Sequence, residues 1–555
     1  MSKQLELTRR RVLAGLGTIG AAGAAAGLGT SAYLNDTESF VGNTLEAGEL
    51  DLYVHYDFMV DQGSASGNFD GPLSGTVQGD EDVSEGVGVS YSLSDVKPGD
   101  EGSLEFCFSL VDNPAYLWMS GELTDDSENA VTEPEGDTPW ETGDGGELAT
   151  YTRAALYYTG ETSDSNDDDV LLTEGTLLGV LSDLHAGVPL HGDGDPTAGV
   201  VDRPTFDGGD STDEPTDDTC VRLDWWVPTW VGNEIQADSV GFDLQFYAEQ
   251  ARNNTGVGDW TLVSTGDDLQ TAVDDASSGD TLLLEAGTHT GEVTVDKTLD
   301  IRGEGPSNTT YDAFDVGGSG SLTGGRDLGM KIRADNVRVG DLTATGADQV
   351  IQYNDNSGSS GRLAGGLVSN TAIVDNGNDG RGRALVLNYI DGAIVRDTAI
   401  EDNGNDGLTG WYANDCHVET VHAARNGDNG LYFNGDNNVI LDSTVEENQE
   451  EGVDVSWKGD RSRTEQRVTL DNVVARNNGQ SGSLPAGEGE DIELHDDDGD
   501  DSVADDSALL RKVDTSGSSA PLGLRLVDVE PAQVRTENST FPNGIQDGND
   551  NDVDP

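Results

Sequence analysis

Asp454 and Glu493 are the residues of this 555-residue chain whose setting points most directly to acid–base chemistry. Each follows an apolar residue, Val453 or Ile492, that holds the same place in a repeated phrase. If each phrase is one coil of a parallel stack, the two carboxylates lie on adjacent coils about 4.8 Å apart. Repulsion at that spacing raises one of the two pKa values, the condition for a general acid. A separation of about 5 Å suits a retaining glycosidase better than an inverting one. Trp411, Tyr432, Asn434, Trp457 and His495 are expected on or beside the same outward strip. Aromatic faces there would pack on sugar rings, while carboxylate, amide and imidazole groups would bond to hydroxyls. The primary expectation is glycan contact, with catalysis by Asp454 and Glu493 as the alternative. Arg381, Arg383 and Lys458 are the outward bases near the strip that a lyase would need as proton acceptor.

The elements that must position these groups follow from the repeat. Asn, three residues, Gly and an apolar run recur at Asn376–Gly380, Asn403–Gly407, Asn426–Gly430 and Asn448–Gly452, with a looser copy at Asn478–Gly482. The Asn-to-Asn steps are 27, 23, 22 and 30 residues. A period of that size marks a solenoid whose units bury their apolar faces only by stacking. Aligned on the glycine, Leu385, Leu408, Leu431, Val453 and Ile492 form one inward column. Leu387, Gly410, Phe433, Val455 and Leu494 form the next, as strand alternation requires. A second strand family is expected to point Ile373, Ile400, Ala423, Val445 and Val474 inward. The repeated asparagines should then stack at a corner and hydrogen-bond from coil to coil, a scaffold rather than a ligand site.

Upstream, Leu269, Ala272, Val273 and Ala276 have helical spacing after an Asp cap, predicting a short amphipathic helix. Strand-like runs follow at 281–285, 293–295 and 298–302, ending in Gly303-Glu304-Gly305. This entry resembles that of right-handed parallel β-helix proteins of the pectin-lyase-like superfamily, including NosD-like and carbohydrate-binding members. The resemblance spans residues 260–540 and implies the fold, not an activity. Residues 33–255 carry alternating runs such as Ser103–Phe108 and Val240–Phe246 between acidic loops, which predicts an antiparallel jelly-roll β-sandwich. The run Tyr33-Leu34-Asn35-Asp36-Thr37-Glu38, then Ala47-Gly48-Glu49-Leu50-Asp51-Leu52 and Leu93–Asp100, resembles TasA/camelysin-type proteins. That resemblance implies an exported domain whose relatives build extracellular fibres or matrix. Some of those relatives carry a metallopeptidase label, but this chain has no HExxH and its seven histidines lack ligand spacing. No metal is therefore assigned to histidine. His185 and His191 are read as surface residues, His417 and His422 as structural or solvent-facing.

Charge sets the surroundings. With 29 Lys+Arg against 106 Asp+Glu the net charge is −77, a surface typical of salt-loving archaea. Nucleic acid is excluded as a partner because phosphate binding needs a basic footprint. The basic cluster around Arg9 and Arg10 precedes an Ala/Gly-rich stretch within residues 1–32 and reads as a Tat-type export signal. Membrane attachment would come only through that segment left uncleaved. Outside the cell Cys107 and Cys220 could pair, while Cys416 reads as a core residue. Sequons stand at Asn35, Asn253, Asn308 and Asn538. Three acidic loops (192–195, 495–506 and 547–554) cluster oxygens that suit Ca²⁺, yet none completes a twelve-residue loop ending in Glu. They read as solvated, and no cofactor is assigned. Residues 541–555 lack periodicity and read as a mobile acidic tail.

The expectation is an exported, cell-surface or matrix protein of all-β class. Its sandwich would assemble or display a β-helix that presents a polysaccharide-binding face. The alternatives are a secreted glycoside hydrolase or polysaccharide lyase, and a purely structural filament subunit.

Overall fold

The computed structural model describes residues 50–547, except 64–73, 79–86, 91–95, 130–145, 161–168, 210–211, 213, 314–327, 355–360, 378–381, 458–466, 481–488, 497–506, 528 and 530–533. Arg9, Arg10, Asn35, Arg381, Lys458, most of the TasA-like motif and most of the last two acidic loops lie outside the described residues. Among the described residues, no helix is long and apolar enough to cross a membrane.

Two β architectures follow one another, as the change in sequence period requires. The first is a sandwich of two sheets, of seven and four strands among the described residues. Alternation along Glu101–Val111 turns Leu104, Phe106, Phe108 and Leu110 into the space between the sheets, where Phe108 meets Phe206 and Phe246 edge-on. Cys107 and Cys220 lie on neighbouring antiparallel strands of the larger sheet and are disulfide-bonded. Helix α1 (Leu148–Tyr151) and helix α2 (Leu177–Leu184) pack at one side. His191 is a correction to the surface reading: it is 6% exposed and packs against the Tyr158 ring, so burial lowers its pKa.

The second architecture begins with helix α3 (Leu269–Asp275), whose N-cap Asp268 accepts from the Thr271 amide. Two parallel ladders then climb the chain, one of seventeen strands and one of ten among the described residues. The ten-stranded ladder ends with Ile545–Asp547 beside Leu524–Val527, so paired strands continue past residue 540. The two inward columns read from the repeat are in register. Gly410 occurs among large residues because a Cβ there would run into the Phe433 ring of the next coil. In the second strand family Ile373, Ile400, Ala423 and Val445 are in register, but the next member is Ala475 rather than Val474. Ala475, not Val474, stands three residues before its ladder asparagine, as the other members do.

The asparagines form a continuous ladder. Asn376, Asn403, Asn426 and Asn448 each donate a side-chain amide to the next asparagine, ending on Asn478, which donates to Asp491. Each also donates to a strand-end carbonyl of the preceding coil. The residue before each (Asp375, Asp402, Arg425, Glu447, Asn477) has φ between 56° and 60°, and this one left-handed residue turns the corner.

The sandwich docks on an outward column of the seventeen-stranded ladder. That column runs Arg302, Gly340, Ser369, Arg396, Glu419, Leu441, Asp471 and Arg511. Arg396 and Glu419 have no exposed side-chain area. Arg338 Nη1 donates to Ser182 O at 2.5 Å, and Arg511 Nη1 to Glu234 Oε1 at 2.5 Å. Trp118 of the sandwich meets Trp260 at 4.7 Å between centroids.

Candidate functional site

The strip is carried by the ten-stranded ladder. Strands Leu408–Trp411, Leu431–Asn434, Val453–Trp457, Ile492–Asp496 and Leu524–Val527 stack in parallel. Register opposes Tyr432 to Asp454, Asp454 to Glu493, and Glu493 to Arg525. The longer coil between Trp457 and Gly489, which carries the strands Arg467–Asp471 and Val474–Arg476, therefore does not displace Glu493. Ile492 and Leu494 must still fill the core columns, and a one-residue slip would expose both.

Asp454 is held in place by two neighbours. His495 Nε2 lies 2.9 Å from Asp454 Oδ1, and Asn429 Nδ2 donates to Asp454 Oδ2 at 3.4 Å. Glu493 Oε2 accepts from Arg525 Nη1 at 3.0 Å. Burial raises the Glu493 pKa; Arg525 opposes the rise and Asp454 adds to it. Farther up the strip the Arg383 guanidinium lies 4.4 Å from the Trp411 ring centroid, while its Nε donates to Asp406 Oδ2 at 2.6 Å. Thr409 Oγ1 donates to the same oxygen at 2.9 Å, so Asp406, Arg383 and Trp411 form one fixed platform. Asp428, beside it, is pushed up to about 7, first by burial and then by Glu450.

Two expected contact residues are corrected. Trp457 has no exposed surface and belongs to the solenoid core. The strand continues one residue beyond Ser456, so the alternation that buries Val453 and Val455 buries Trp457 as well. Asn434 is 3% exposed, out of reach of a chain lying on the strip. Trp411, Tyr432 and His495 remain partly exposed. His417 is buried with its Nε2 3.1 Å from Glu419 Oε2, and His422 lies between Glu401 and Glu446 at 2.6 and 3.3 Å. Asn253, Asn308 and Asn538 are exposed, and Cys416 is a buried free thiol.

Glu451 and Glu490 were not singled out from the sequence. Each stands two residues before an inward residue, Val453 or Ile492, and that shared offset was the available signal. The Glu451 carboxyl is pushed up to about 8 by burial, then by Asp454 and Glu493. Burial pushes Glu490 up to about 7 against the pull of Arg525. With Glu493 these two form one acidic cluster at the foot of the strip.

The ladders and core define a right-handed parallel β-helix, and residues 334–498 match the family model described as "Right handed beta helix region". No curated protein sequence matches the chain. Among solved structures, pectate lyase Pel9A is similar at 14% identity and a TM-score of 0.31, over 52% of this chain and 78% of that one. The catalytic domain of a GH87 alpha-1,3-glucanase is similar at 10% identity and a TM-score of 0.30, over 87% and 94%. The A-module of an Azotobacter vinelandii mannuronan C-5 epimerase gives 13% identity and a TM-score of 0.28, over 49% and 93%. Likeness at this level says nothing about what the strip does.

Proposed function

We propose that this is an exported, cell-surface or matrix protein of a high-salt environment whose β-helix binds a polysaccharide along the strip from Trp411 to His495. The observation that carries the reading is the fixed Asp406–Arg383–Trp411 platform beside a register column in which Thr409, bonded to Asp406, is followed coil by coil by Tyr432, Asp454 and Glu493, with Trp411 in the adjacent outward column. Rings accept the apolar faces of sugars, and carboxylates held by their own neighbours accept hydroxyl hydrogen bonds without reorganising. Export is supported by the twin-arginine segment and agrees with the Cys107–Cys220 disulfide. The TasA-like sandwich is assigned to assembly or display.

A panel of soluble polysaccharides in affinity gels at molar salt tests the binding. Trp411→Ala should weaken retention about tenfold, roughly 1.4 kcal/mol. Unchanged retention would remove the strip as the binding face. A second reading, cleavage, is favoured by the adjacent-coil pairing of Asp454 with Glu493 and by the close approach of His495 Nε2 to Asp454 Oδ1. It requires new reducing ends or unsaturated uronate in the same panel, abolished in the Asp454→Asn, Glu493→Gln double variant. Activity that survives the double variant would exclude this pair.

A further inference from the structure

Glu451, Glu490 and Glu493 each bring one carboxylate oxygen to a common point, all within 4.8 Å of one another. The backbone sets this up. Gly452 N–H donates to Glu490 O at 3.2 Å and Val453 N–H to Asp491 O at 3.0 Å. Glu451 and Glu490 thus stand at equivalent corners of consecutive coils, and Glu493 begins the outward face just beyond.

Acidic clusters are common on a surface this charged, but Glu490 is unlike the rest. Its side chain is fully buried, and neither carboxylate oxygen has a well-formed hydrogen bond among the described residues, the amides of Gly489 and Glu490 itself stabilising it only weakly. Among the described residues the cation paired with it is Arg525 Nη1 at 3.8 Å, and that nitrogen already donates to Glu493 at 3.0 Å. A desolvated carboxylate without donors is costly, and the cost is removed when a cation takes their place. All three donors are hard oxygens from flexible glutamates, a set suited to Ca²⁺ and poorly suited to softer metals that prefer sulfur or imidazole.

We propose that Glu451, Glu490 and Glu493 form a divalent-cation site for Ca²⁺ that ties two consecutive coils together. The site is independent of the glycan reading: the cation would hold Glu493 and the coil that bears it, whether or not a sugar binds. It also differs from the acidic loops read from the sequence, since its ligands sit on the ladder itself.

Calorimetric titration of the full chain with Ca²⁺, after chelator treatment and in molar KCl, tests it. The wild type should show one saturable site above a weak background. Glu490→Gln, a neutral isostere that relieves the buried charge and so preserves folding, should lower the affinity of that site at least tenfold. Glu122→Gln, an exposed carboxylate on the sandwich, should leave it unchanged. Identical titrations of wild type and Glu490→Gln would overturn the proposal and leave only nonspecific binding to the acidic surface. Crystals soaked in Tb³⁺ give a second reading: an anomalous peak among the three carboxylates is expected, and its absence would overturn the site.

Discussion

Glu419→Ala should destabilise the protein by about 3–5 kcal/mol, the cost of stripping one partner from a buried ion pair. Glu419 has no exposed side-chain surface and makes three polar contacts, one of them across the junction of the two domains. Its Oε1 lies 2.9 Å from Arg396 Nε; its Oε2 accepts from the Thr176 amide at 3.0 Å and faces His417 Nε2 at 3.1 Å. Arg396, equally buried, also pairs with Asp183 and Asp397 and donates to Glu174 O. The alanine would leave the guanidinium undercompensated and the Thr176 amide without an acceptor. Thermal unfolding, followed by circular dichroism, and protease sensitivity between the domains are the measurements. Because the pair is buried, the loss should persist from low to molar salt, unlike that of an exposed pair. Changing Arg396 to Met and Glu419 to Leu together should recover part of the loss. A single variant that melts with the wild type would remove the junction as a source of stability.

Two further consequences belong to the same contact. Gly179 lies so close to Glu419 Oε1 and Arg396 that a Cβ would collide, so Gly179→Ala should open the junction even though the helix itself favours alanine. Burial alone would raise the Glu419 pKa, but His417, Arg396 and the Thr176 contact outweigh it and hold the carboxyl at about 2, below the ordinary glutamate value of 4.5. A depressed carboxylate pKa means that the native state binds fewer protons than the unfolded chain between those values. Its stabilisation is present above pH ~4.5 and lost as pH falls toward 2. The acid limb of the stability curve should therefore flatten in Glu419→Gln.

The second large effect is expected from Asn426→Ala, at about 3–5 kcal/mol and on the order of 5–10 °C in melting temperature. Asn426 Oδ1 accepts from the backbone and side-chain amides of Asn403, at 3.3 and 3.0 Å. Its Nδ2 donates to Ile400 O at 2.9 Å and to Asn448 Oδ1 at 3.0 Å. Alanine would orphan two donors and a carbonyl inside the stack and leave one acceptor short, at a fully buried corner. Asp should fail almost as badly as Ala, because it restores the acceptor but not the two donated bonds. A melting temperature within about 2 °C of wild type would show that the ladder ornaments the corner rather than holding it.

The asparagine ladder and the register of Glu493 were legible in the sequence for the same reason. A parallel stack repeats its geometry, so a residue's distance from the corner fixes its direction. Where that ruler was set aside, the reading failed. Trp457 is one alternation step beyond Val455 and turns inward, and Ala475 rather than Val474 stands at the offset from Asn478 shared by its column. Glu451 and Glu490 could have been found by the same offset, but in a chain with 106 acidic residues nothing in their type distinguished them. What distinguishes Glu490 is its complete burial with no well-formed hydrogen bond among the described residues, a property of packing alone.

By itself the sequence determined the two-part all-β organisation, the coil length, the inward columns and the asparagine corner. These depend on local alternation and on a period that each unit shares with its neighbours. Only the tertiary structure decided that the sandwich lies on the β-helix. It thereby buries Arg396, Glu419, Asp471 and Arg511, outward by alternation and indistinguishable in sequence from solvated charges. The same holds for His191, Asn434 and the three-glutamate cluster, whose surroundings come from residues distant in the chain or from neighbouring coils. Direction along a strand is set by backbone geometry and can be counted. Desolvation is set by whatever packs on top, and a chain read residue by residue does not carry it.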